Sequence, residues 1–503
     1  MGQFVLGIDN GGMSAKAVLF DLRGREIAST KRNVPMDTPK VGFTERDMEL
    51  LWQMNREVIR ETIQKSKVSP EDIAGVSFTG HGKGLYLWGQ DERPVRPGII
   101  STDSRAYAIV ERWNQDGTAE RAFPLTCQNV LACQPVSLLK WLLEHEPEAI
   151  ERTKWIFGVK DYIRYRLTGE AYGEITDLSG SSLVNLNTAG YDENILKLFG
   201  LEAVRDKLPP LIYSSELSGK VTRESAQLTG LAAGTPVAAG LFDIDACAIA
   251  MNLIDDRYLA VIAGTWSINE YIAKAPVMDH SVMMNSLYCL PGFYLVEESS
   301  PTSASNQEWF INNCLKELAR EEGQSLYEVA NRLMESVTPD GQHIVFLPYL
   351  FGGCDDARAT GAFVGLNASH TRADMLRAVY EGIVFGHRLH IDRLLRSRDT
   401  PPQAVRLAGG VVNAPAWVQM FADILRLPVE TIDVKELGTL GAAITATVAI
   451  GAYADLAQAA DAMVKVDRVY QPNPAHADVY EKKYQSFLAV NEALAGVWEK
   501  LIR

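Results

Sequence analysis

The stretch VLGIDNGGMSAKAVLFD, residues 5–21, decides the fold of this chain. Its two apolar runs, Val5–Ile8 and Ala17–Phe20, flank a polar turn that is rich in glycine. This spacing is typical of a β-hairpin. Because glycine has no side chain, the backbone N–H groups at the tip of such a hairpin can approach a ligand closely. The sequence therefore predicts a hairpin whose tip faces an anion such as a phosphate.

The polar residues of the turn favour the same interpretation. Asp9 ends the first apolar run. A carboxylate in that place suits the Mg²⁺ that accompanies a phosphate ester, because hard cations prefer carboxylate oxygens. An ordinary structural turn explains the pattern equally well. The candidate phosphate-binding residues of this turn are Gly11, Gly12, Ser14 and Lys16.

A second copy of the pattern lies about half a chain away. LAVIAGTWSINEYI, residues 259–272, joins two apolar runs through a turn that contains Gly264 and Thr265. Two such hairpins predict two like domains, each of which presents a phosphate-binding turn to a shared cleft. We expect Gly12 and Gly264 to adopt backbone angles that other residues avoid.

Composition limits the class of protein. The chain has 503 residues, which predicts two or three domains. Its 47% apolar and 22% charged residues are ordinary for a soluble globular enzyme. A net charge of −14 argues against nucleic acid or an anionic membrane as a partner, since both require basic patches. Phosphate binding in such a protein needs local positive groups or Mg²⁺.

The cysteines and the apolar segments predict a cytoplasmic protein. The six cysteines form no C-x-x-C pair, which favours reduced thiols over a zinc site or a disulfide framework. The first residues lead directly into a strand without the basic region of a secretion signal. The most apolar long window, residues 231–254, is interrupted by Asp243 and Asp245, so we expect no membrane span.

The rest of the chain alternates strands and helices, as in α/β proteins. We predict a strand over residues 73–79 and a domain boundary near residues 245–255, which gives domains of residues 1–247 and 248–503. Helices are predicted over residues 47–65, 104–115, 136–146, 159–167, 306–322, 325–336, 372–397, 414–427 and 437–450.

Two acids, Asp243 and Asp245, lie among small and apolar residues in GLFDIDA, residues 240–246. Either could cap a helix, a position that favours Asp. Either could also be a base at the mouth of a cleft, where it would take a proton from a substrate hydroxyl. Spacing alone does not choose between them.

Two further segments are rich in glycine. RLAGGVVN, residues 406–413, predicts a strand that enters a Gly-Gly turn before a helix, and the amides of Gly409 and Gly410 together with Asn413 could face a nucleotide. The small residues of ELGTLGAA, residues 436–443, permit close approach of a flat ring, although simple helix packing explains them as well.

Polar loops near residues 80–105 are candidates for binding a polyhydroxylated ligand. His81, Lys83 and Asp103 could exchange hydrogen bonds with its hydroxyls, or they could be solvated loop charges. A further group of histidines consists of His370, His387 and His390. We assign this group to helix packing or the surface rather than to a metal site.

Taken in chain order, these segments resemble the FGGY family of carbohydrate kinases, within the actin-like ATPase superfamily. The most specific match is GAFVGLNASHTRADMLRAVYE, residues 361–381, which fits the C-terminal signature of the family. The N-terminal signature, around residues 137–141, is matched only in part. The resemblance extends from the first hairpin to about residue 450.

This resemblance implies an α/β fold of two actin-like (ribonuclease H-like) ATPase domains around a deep cleft. It implies that the sugar lies against the N-terminal domain and ATP against the C-terminal one. By residue match, Asp243 corresponds to the catalytic aspartate, and Asp9 and Asp243 are associated with Mg²⁺. It also implies small-molecule substrates, with a homodimer as one expected assembly.

Within the family, the resemblance is greatest to the kinases of L-xylulose, which implies conversion of L-xylulose to L-xylulose 5-phosphate. Lys83 stands where kinases of D-xylulose carry a histidine, and the Arg-Glu pair of glycerol kinases is absent. The alternatives are a kinase of another sugar (3-keto-L-gulonate, L- or D-ribulose, a tetrulose) and a non-catalytic actin-like ATPase module. A retained Asp243 speaks against the last, because a nucleotide switch needs no substrate base.

Overall fold

A computed structural model describes residues 3–353, 356, 358–432 and 434–501 of the chain. Two seven-stranded sheets form its framework. In spatial order, the first sheet consists of strands Leu217–Lys220, Pro236–Ala238, Ile73–Gly80, Phe4–Asn10, Ser14–Asp21 and Glu26–Asn33, and Leu241–Phe242 also pairs with Ile73–Gly80. The second consists of Met284–Leu287, Tyr294–Ser300, Ser267–Ala273, Tyr258–Ala263, Ala404–Ala408, Val429–Ile432 and Val466–Tyr470.

The two sheets share one strand arrangement. Each predicted hairpin is present, as Phe4–Asn10 with Ser14–Asp21 and as Tyr258–Ala263 with Ser267–Ala273. In both sheets the first strand of the hairpin also pairs in parallel with a later strand, which is Ile73–Gly80 in one case and Ala404–Ala408 in the other. The prediction of two like α/β domains is confirmed.

The helices follow the predicted order. The long apolar stripe of Arg372–Arg396 packs on the second sheet and contributes buried side chains to its core. The predicted helix over residues 306–322 is divided at Leu315 into two helices. The principal helices are Met48–Ser66, Tyr107–Gln115, Thr118–Thr126, Pro135–His145, Val159–Thr168, Ile175–Ser179, Asp243–Ala250, Ser305–Cys314, Lys316–Glu322, Leu326–Glu335, Arg372–Arg396, Pro415–Leu425, Leu437–Ala449, Leu456–Met463 and Ala477–Leu494.

The helix Leu437–Ala449 packs against the first sheet, although it comes late in the chain. Glycines make this contact possible. A Cβ atom on Gly7 would overlap the carbonyl oxygen of Thr439, and one on Gly441 would overlap the backbone of Ala246. The small residues of segment 436–443 therefore serve helix packing, one of the two uses predicted for them.

Three smaller expectations concern cysteines, histidines and membranes. Five cysteines are free thiols, and the sixth, Cys354, lies outside the described residues. His387 and His390 are buried in the long helix, and within the described part of the chain no three potential ligands form a metal-binding group. No helix among the described residues is both long and apolar enough to cross a membrane.

Candidate active site

The register of the first sheet brings the predicted acids to one edge. Asn10 lies beside Gly80, and Gly80 lies beside Phe242. These three strands run in parallel, so they end at the same edge, where α/β proteins commonly bind ligands. Asp9 lies near the end of one outer strand and Asp243 directly follows the other, with the strand Ile73–Gly80 between them. Both acids therefore lie at this edge, close enough for the charge of Asp9 to act on Asp243. The loop from His81 to Gly84 leaves the third strand at the same edge.

Glycine is required where the chain approaches Asp243. Gly240 has φ of 89°, in the left-handed region. A Cβ atom there would also overlap the carbonyl oxygen of Phe78. Gly82 packs its backbone over the ring of Phe242, so the loop that contains Lys83 is held against the strand that leads into Asp243.

The structure distinguishes the two acids of segment 240–246. Asp243 begins the helix Asp243–Ala250 and is partly exposed, whereas Asp245 is fully buried. Asp245 accepts a hydrogen bond from the backbone N–H of Cys289 at 3.1 Å. Burial raises the pKa of Asp243 to about 8, and the negative charges of Asp9 and Asp177 add to the shift. Of the two, only Asp243 can meet a ligand.

This pKa predicts a pH-dependent difference in stability. Burial moves the pKa of Asp243 from its ordinary 3.8 to about 8, so between these values the folded state binds more protons than the unfolded state, and stability falls as pH rises. Asp243→Asn removes this term. The melting temperature of the variant should exceed that of the wild type by an increment that grows from pH 6 to pH 8. Calorimetric scans of the ligand-free proteins measure it, and a constant increment would contradict the shift.

The turn after Asp9 is fixed by its backbone and by a buried arginine. The N–H of Gly11 donates to the carbonyl oxygen of Ser14 at 3.0 Å. The guanidinium of Arg46, which is 1% exposed, donates to the carbonyl oxygens of Gly11 and Gly12. Sequence reasoning missed Arg46 because nothing in its local pattern connects it to a turn more than thirty residues away.

Asp9 and Lys16 are neighbours across the hairpin. The Lys16 Nζ lies 3.9 Å from Asp9 Oδ2 and 2.6 Å from Glu436 Oε2, so it links the first hairpin to the start of the helix Leu437–Ala449. Burial raises the pKa of Asp9 to about 6. Lys16 is thus a positive group beside the turn that is paired with two carboxylates.

The second sheet brings its two turns together in the same way. Ile262 lies beside Ala408 in parallel strands, so the turns that follow them adjoin. Gly409 has φ of 100°, and a Cβ atom there would overlap the carbonyl oxygen of Ala263. A cavity of about 580 Å³ opens beside the turns, a size typical of small-molecule sites. Its lining includes Gly264, Thr265, Ala304, Ser305, Gln307, Tyr327, Gly410, Asn413 and Trp417.

His81 differs from its predicted role. It is buried, and its ring nitrogens contact Gly82 O at 3.2 Å and Tyr86 Oη at 3.1 Å. Burial lowers the pKa of His81 to about 4, so its ring is neutral at physiological pH. Both ring nitrogens of His81 are thus hydrogen-bonded within the protein. The imidazole therefore supports the loop and is not available to a ligand. Lys83 is partly exposed with φ of 62°, and no described residue forms an ion pair with it.

Asp103 is not a free hydrogen-bond acceptor. Its side chain is 0% exposed and lies 2.8 Å from the guanidinium of Arg105. Oδ1 accepts from the N–H and Nε of Arg105, both at 2.9 Å. Oδ2 accepts from the N–H of Thr44 at 2.7 Å. The prediction that Asp103 accepts hydrogen bonds from a ligand is wrong for this arrangement, because the protein already uses its oxygens to brace the loop.

A third acid, Asp177, was missed. Its Oδ2 accepts a hydrogen bond from Lys160 at 3.0 Å. The adjacent Thr176 Oγ1 accepts from the N–H of Phe242 at 2.9 Å, which places Asp177 next to the strand that leads into Asp243. Burial raises the pKa of Asp177 to about 6. No local signal in the sequence pointed to Asp177, because its partner Lys160 lies in a helix that also carries Asp161, Arg164 and Arg166.

Each of the two like domains matches a known family of protein domains. Family models of the N-terminal and C-terminal domains of the FGGY carbohydrate kinases match residues 4–250 and 259–450. The chain therefore belongs to the FGGY family of carbohydrate kinases, and it is a sugar kinase of a family that uses ATP.

Individual relatives are similar over nearly their whole length. A probable L-xylulose kinase of Pasteurella multocida is 37% identical, over 98% of this chain and 99% of that protein. An L-xylulose/3-keto-L-gulonate kinase of Escherichia coli is 36% identical, over 99% and 98%. The crystal structure of a ligand-bound xylulose kinase from Lactobacillus acidophilus superposes with a TM-score of 0.88 at 27% identity, covering 99% of each chain.

The structure changes the expected effect of substituting the glycines of the two hairpin turns. Neither Gly12 nor Gly264 has a positive φ, so the expected backbone constraint is wrong at both positions. No atom lies within 4 Å of a Cβ atom on either residue. Gly264→Val should therefore fold normally but lower ATP affinity about tenfold or more, because the new side chain would occupy the space that the turn is predicted to offer the phosphates. Calorimetric titration measures this, and unchanged affinity would remove the turn from the site.

Proposed function

We propose that the protein phosphorylates a ketopentose with ATP, and that the ketopentose is L-xylulose, which becomes L-xylulose 5-phosphate. The observation that carries the proposal is the strand register that places Asp9 and Asp243 at one sheet edge. The names of the relatives that are 37% and 36% identical support the choice of sugar. Residues 1–247 would hold the sugar and residues 248–503 would hold ATP.

Asp243 serves as the base in this proposal. Phosphoryl transfer depends mainly on alignment of the reactants and on stabilisation of charge, with an acceptor for the proton of the attacking hydroxyl. A pKa near 8 is close to the operating pH, as an efficient general base requires. The proton of the 5-hydroxyl would pass to the carboxylate of Asp243 as the oxygen attacks the terminal phosphorus of ATP. The bond from that phosphorus to the bridging oxygen would break, and ADP would leave.

Mg²⁺ fits the same edge. Burial is the main cause of the raised pKa of Asp243, and the negative charge of Asp9 adds to it by repulsion. A cation between these carboxylates would relieve this repulsion. Mg²⁺ commonly takes one or two carboxylates and completes its shell with phosphate oxygens and water. Bound there, it would neutralise charge on the transferred phosphate.

ATP would lie along the second sheet. Gly264, Thr265, Gly410 and Asn413 line one cavity beside the paired turns, and Gly409 sets the path of the second turn. Gly11, Gly12, Ser14 and Lys16 would face the terminal phosphate from the first sheet. The proposal divides phosphate binding between the two hairpin turns of the fold.

Lys83 favours a second candidate substrate, 3-keto-L-gulonate. Lys83 lies in the loop that packs on Phe242, and its positive charge acts on Asp243. No residue among those described forms an ion pair with it. An ammonium pairs with a carboxylate as well as with a hydroxyl. The kinase of Escherichia coli that is 36% identical is named for both sugars.

The proposal is tested by kcat/KM with ATP for L-xylulose, D-xylulose, L-ribulose and 3-keto-L-gulonate. L-xylulose should give the highest value among the neutral sugars. A tenfold preference for D-xylulose would contradict the choice of L-xylulose. Turnover of none of the four would overturn the substrate class.

Lys83→Ala should raise the KM for the sugar at least tenfold with little change in the KM for ATP. A site that is built on hydrogen bonds loses affinity sharply when one partner is removed, because the other group stays unpaired. Lys154→Ala provides the control, since that lysine pairs with Glu92 on the surface. Equal changes in both KM values would exclude Lys83 from the sugar site.

A further inference from the structure

We propose that His387 is a positioning residue of the nucleotide site, which ties the turn at Gly264 to the start of the helix Ser305–Cys314. The inference rests on the proposed nucleotide site but not on the identity of the sugar. His387 lies in the middle of the helix Arg372–Arg396 and is 1% exposed, so it contacts no ligand itself.

The imidazole of His387 bridges two segments that are far apart in sequence. Its Nδ1 lies 3.0 Å from Ser267 Oγ and 2.8 Å from Asn269 Oδ1. Its Nε2 lies 2.8 Å from Ser303 Oγ. Ser267 is the first residue of the strand that leaves the glycine turn, and Ser303 lies two residues before the helix Ser305–Cys314. One ring therefore fixes the spacing between them.

The hydrogen-bond network assigns the tautomer. The Nδ2 of Asn269 donates to Ser267 Oγ at 3.1 Å and to the carbonyl oxygen of Glu298 at 3.2 Å. The Oδ1 of Asn269 is therefore an acceptor, and Nδ1 of His387 carries the hydrogen that it accepts. Nε2 is then free to accept from the hydroxyl of Ser303. Burial lowers the pKa of His387 to about 3, with His390 contributing, which keeps the ring in this neutral form.

A separate hydrogen bond joins the same two segments at the cavity wall. The hydroxyl of Ser305 donates to the carbonyl oxygen of Thr265 at 3.1 Å. Gly264 and Thr265 line the cavity from the turn, while Ala304 and Ser305 line it from the helix. His387 thus sits behind both walls of the cavity. Small displacements of groups that position a substrate have large kinetic effects, so loss of the bridge should appear in nucleotide binding.

A purely structural role makes a different prediction. If His387 only fills space, any loss of packing on the same helix should act alike. Val384 provides the comparison, because it lies one turn earlier on that helix, is 0% exposed and belongs to the same core. Val384→Ala should lower the melting temperature without changing nucleotide affinity.

The experiment compares His387→Leu, His387→Asn and Val384→Ala. Affinity for a non-hydrolysable ATP analogue with Mg²⁺ is measured by calorimetry, and KM values are measured with the best sugar. His387→Leu should weaken analogue binding and raise the KM for ATP about tenfold, with the sugar KM within twofold of wild type. His387→Asn, whose amide can replace the Nδ1 hydrogen, should recover part of the loss.

Ser303→Ala offers a milder test that does not depend on the folding of His387→Leu. It should weaken analogue binding three- to tenfold, and in the double variant with His387→Leu it should add nothing further. Wild-type affinity in Ser303→Ala, or equal losses in Val384→Ala and His387→Leu, would overturn the proposal. If the wild type binds the analogue but phosphorylates no sugar, the proposed function fails while this inference is still decided by the binding data.

Discussion

Asp243→Asn is expected to lower sugar-dependent ATP turnover by roughly 10²–10⁴-fold, the contribution of a general base. The amide keeps the shape of the side chain but cannot accept the hydroxyl proton. Asp243 is partly exposed at the start of its helix, so the substitution disturbs little packing. The variant should therefore fold and bind ATP. Coupled assays with and without sugar measure the turnover, and calorimetry measures ATP binding.

Asp245→Asn provides the matched control for this prediction. Asp245 is 0% exposed, and its Oδ1 accepts from the N–H of Cys289. The carbonyl of an asparagine can keep that hydrogen bond, so turnover should fall much less than in Asp243→Asn. If Asp243→Asn retains more than about a tenth of wild-type turnover while Asp245→Asn loses it, the role of the base belongs to Asp245.

Gly7→Ala is expected to cause the largest loss of stability. Its Cβ atom would overlap the carbonyl oxygen of Thr439 in the helix that covers the first sheet. Backbone cannot yield as a side-chain tip can, so the cost should reach or exceed about 3 kcal/mol, the upper end for overpacked cores. Thermal and urea unfolding measure the loss. Gly12→Ala, in the same hairpin, is the control, since no atom lies within 4 Å of its Cβ position.

An unchanged unfolding free energy in Gly7→Ala would show that the helix Leu437–Ala449 does not pack on the strand Phe4–Asn10 as described. Loss of stability in Gly12→Ala equal to that in Gly7→Ala would instead point to a general intolerance of the hairpin to side chains. The two glycines thus separate close packing from turn conformation.

Local patterns explain which parts of the architecture were predictable. Both hairpins and the Gly-Gly turn at Gly409 are determined by patterns of consecutive residues, and the structure confirms them. The fate of single polar side chains depends on partners that are distant in sequence. Asp103 had the right chemistry for a ligand, but Arg105 and the Thr44 amide already occupy its oxygens. The hydrogen bonds of Arg46 to the turn could not be predicted, because only the folded chain brings the two segments together.

The helix Leu437–Ala449 also shows why sequence order misleads about spatial domains. Its small residues indicated close packing but not the surface against which they pack. Ser77 and Thr445 are hydrogen-bonded at 2.7 Å although 368 positions separate them. The sequence pattern of either segment alone cannot predict this contact, because the contact depends on both segments.

This crossing of the late helix onto the first sheet has a consequence for building hybrid enzymes. A chimera that exchanges residues 1–247 with those of a related kinase would join a new sheet to an old covering helix, and Gly7, Gly75 and Gly441 would face mismatched partners. The exchangeable module is instead discontinuous, and it consists of the early segment together with residues 437–449. Recombination libraries designed with that pair as one unit should retain many more folded members than libraries divided once near residue 250.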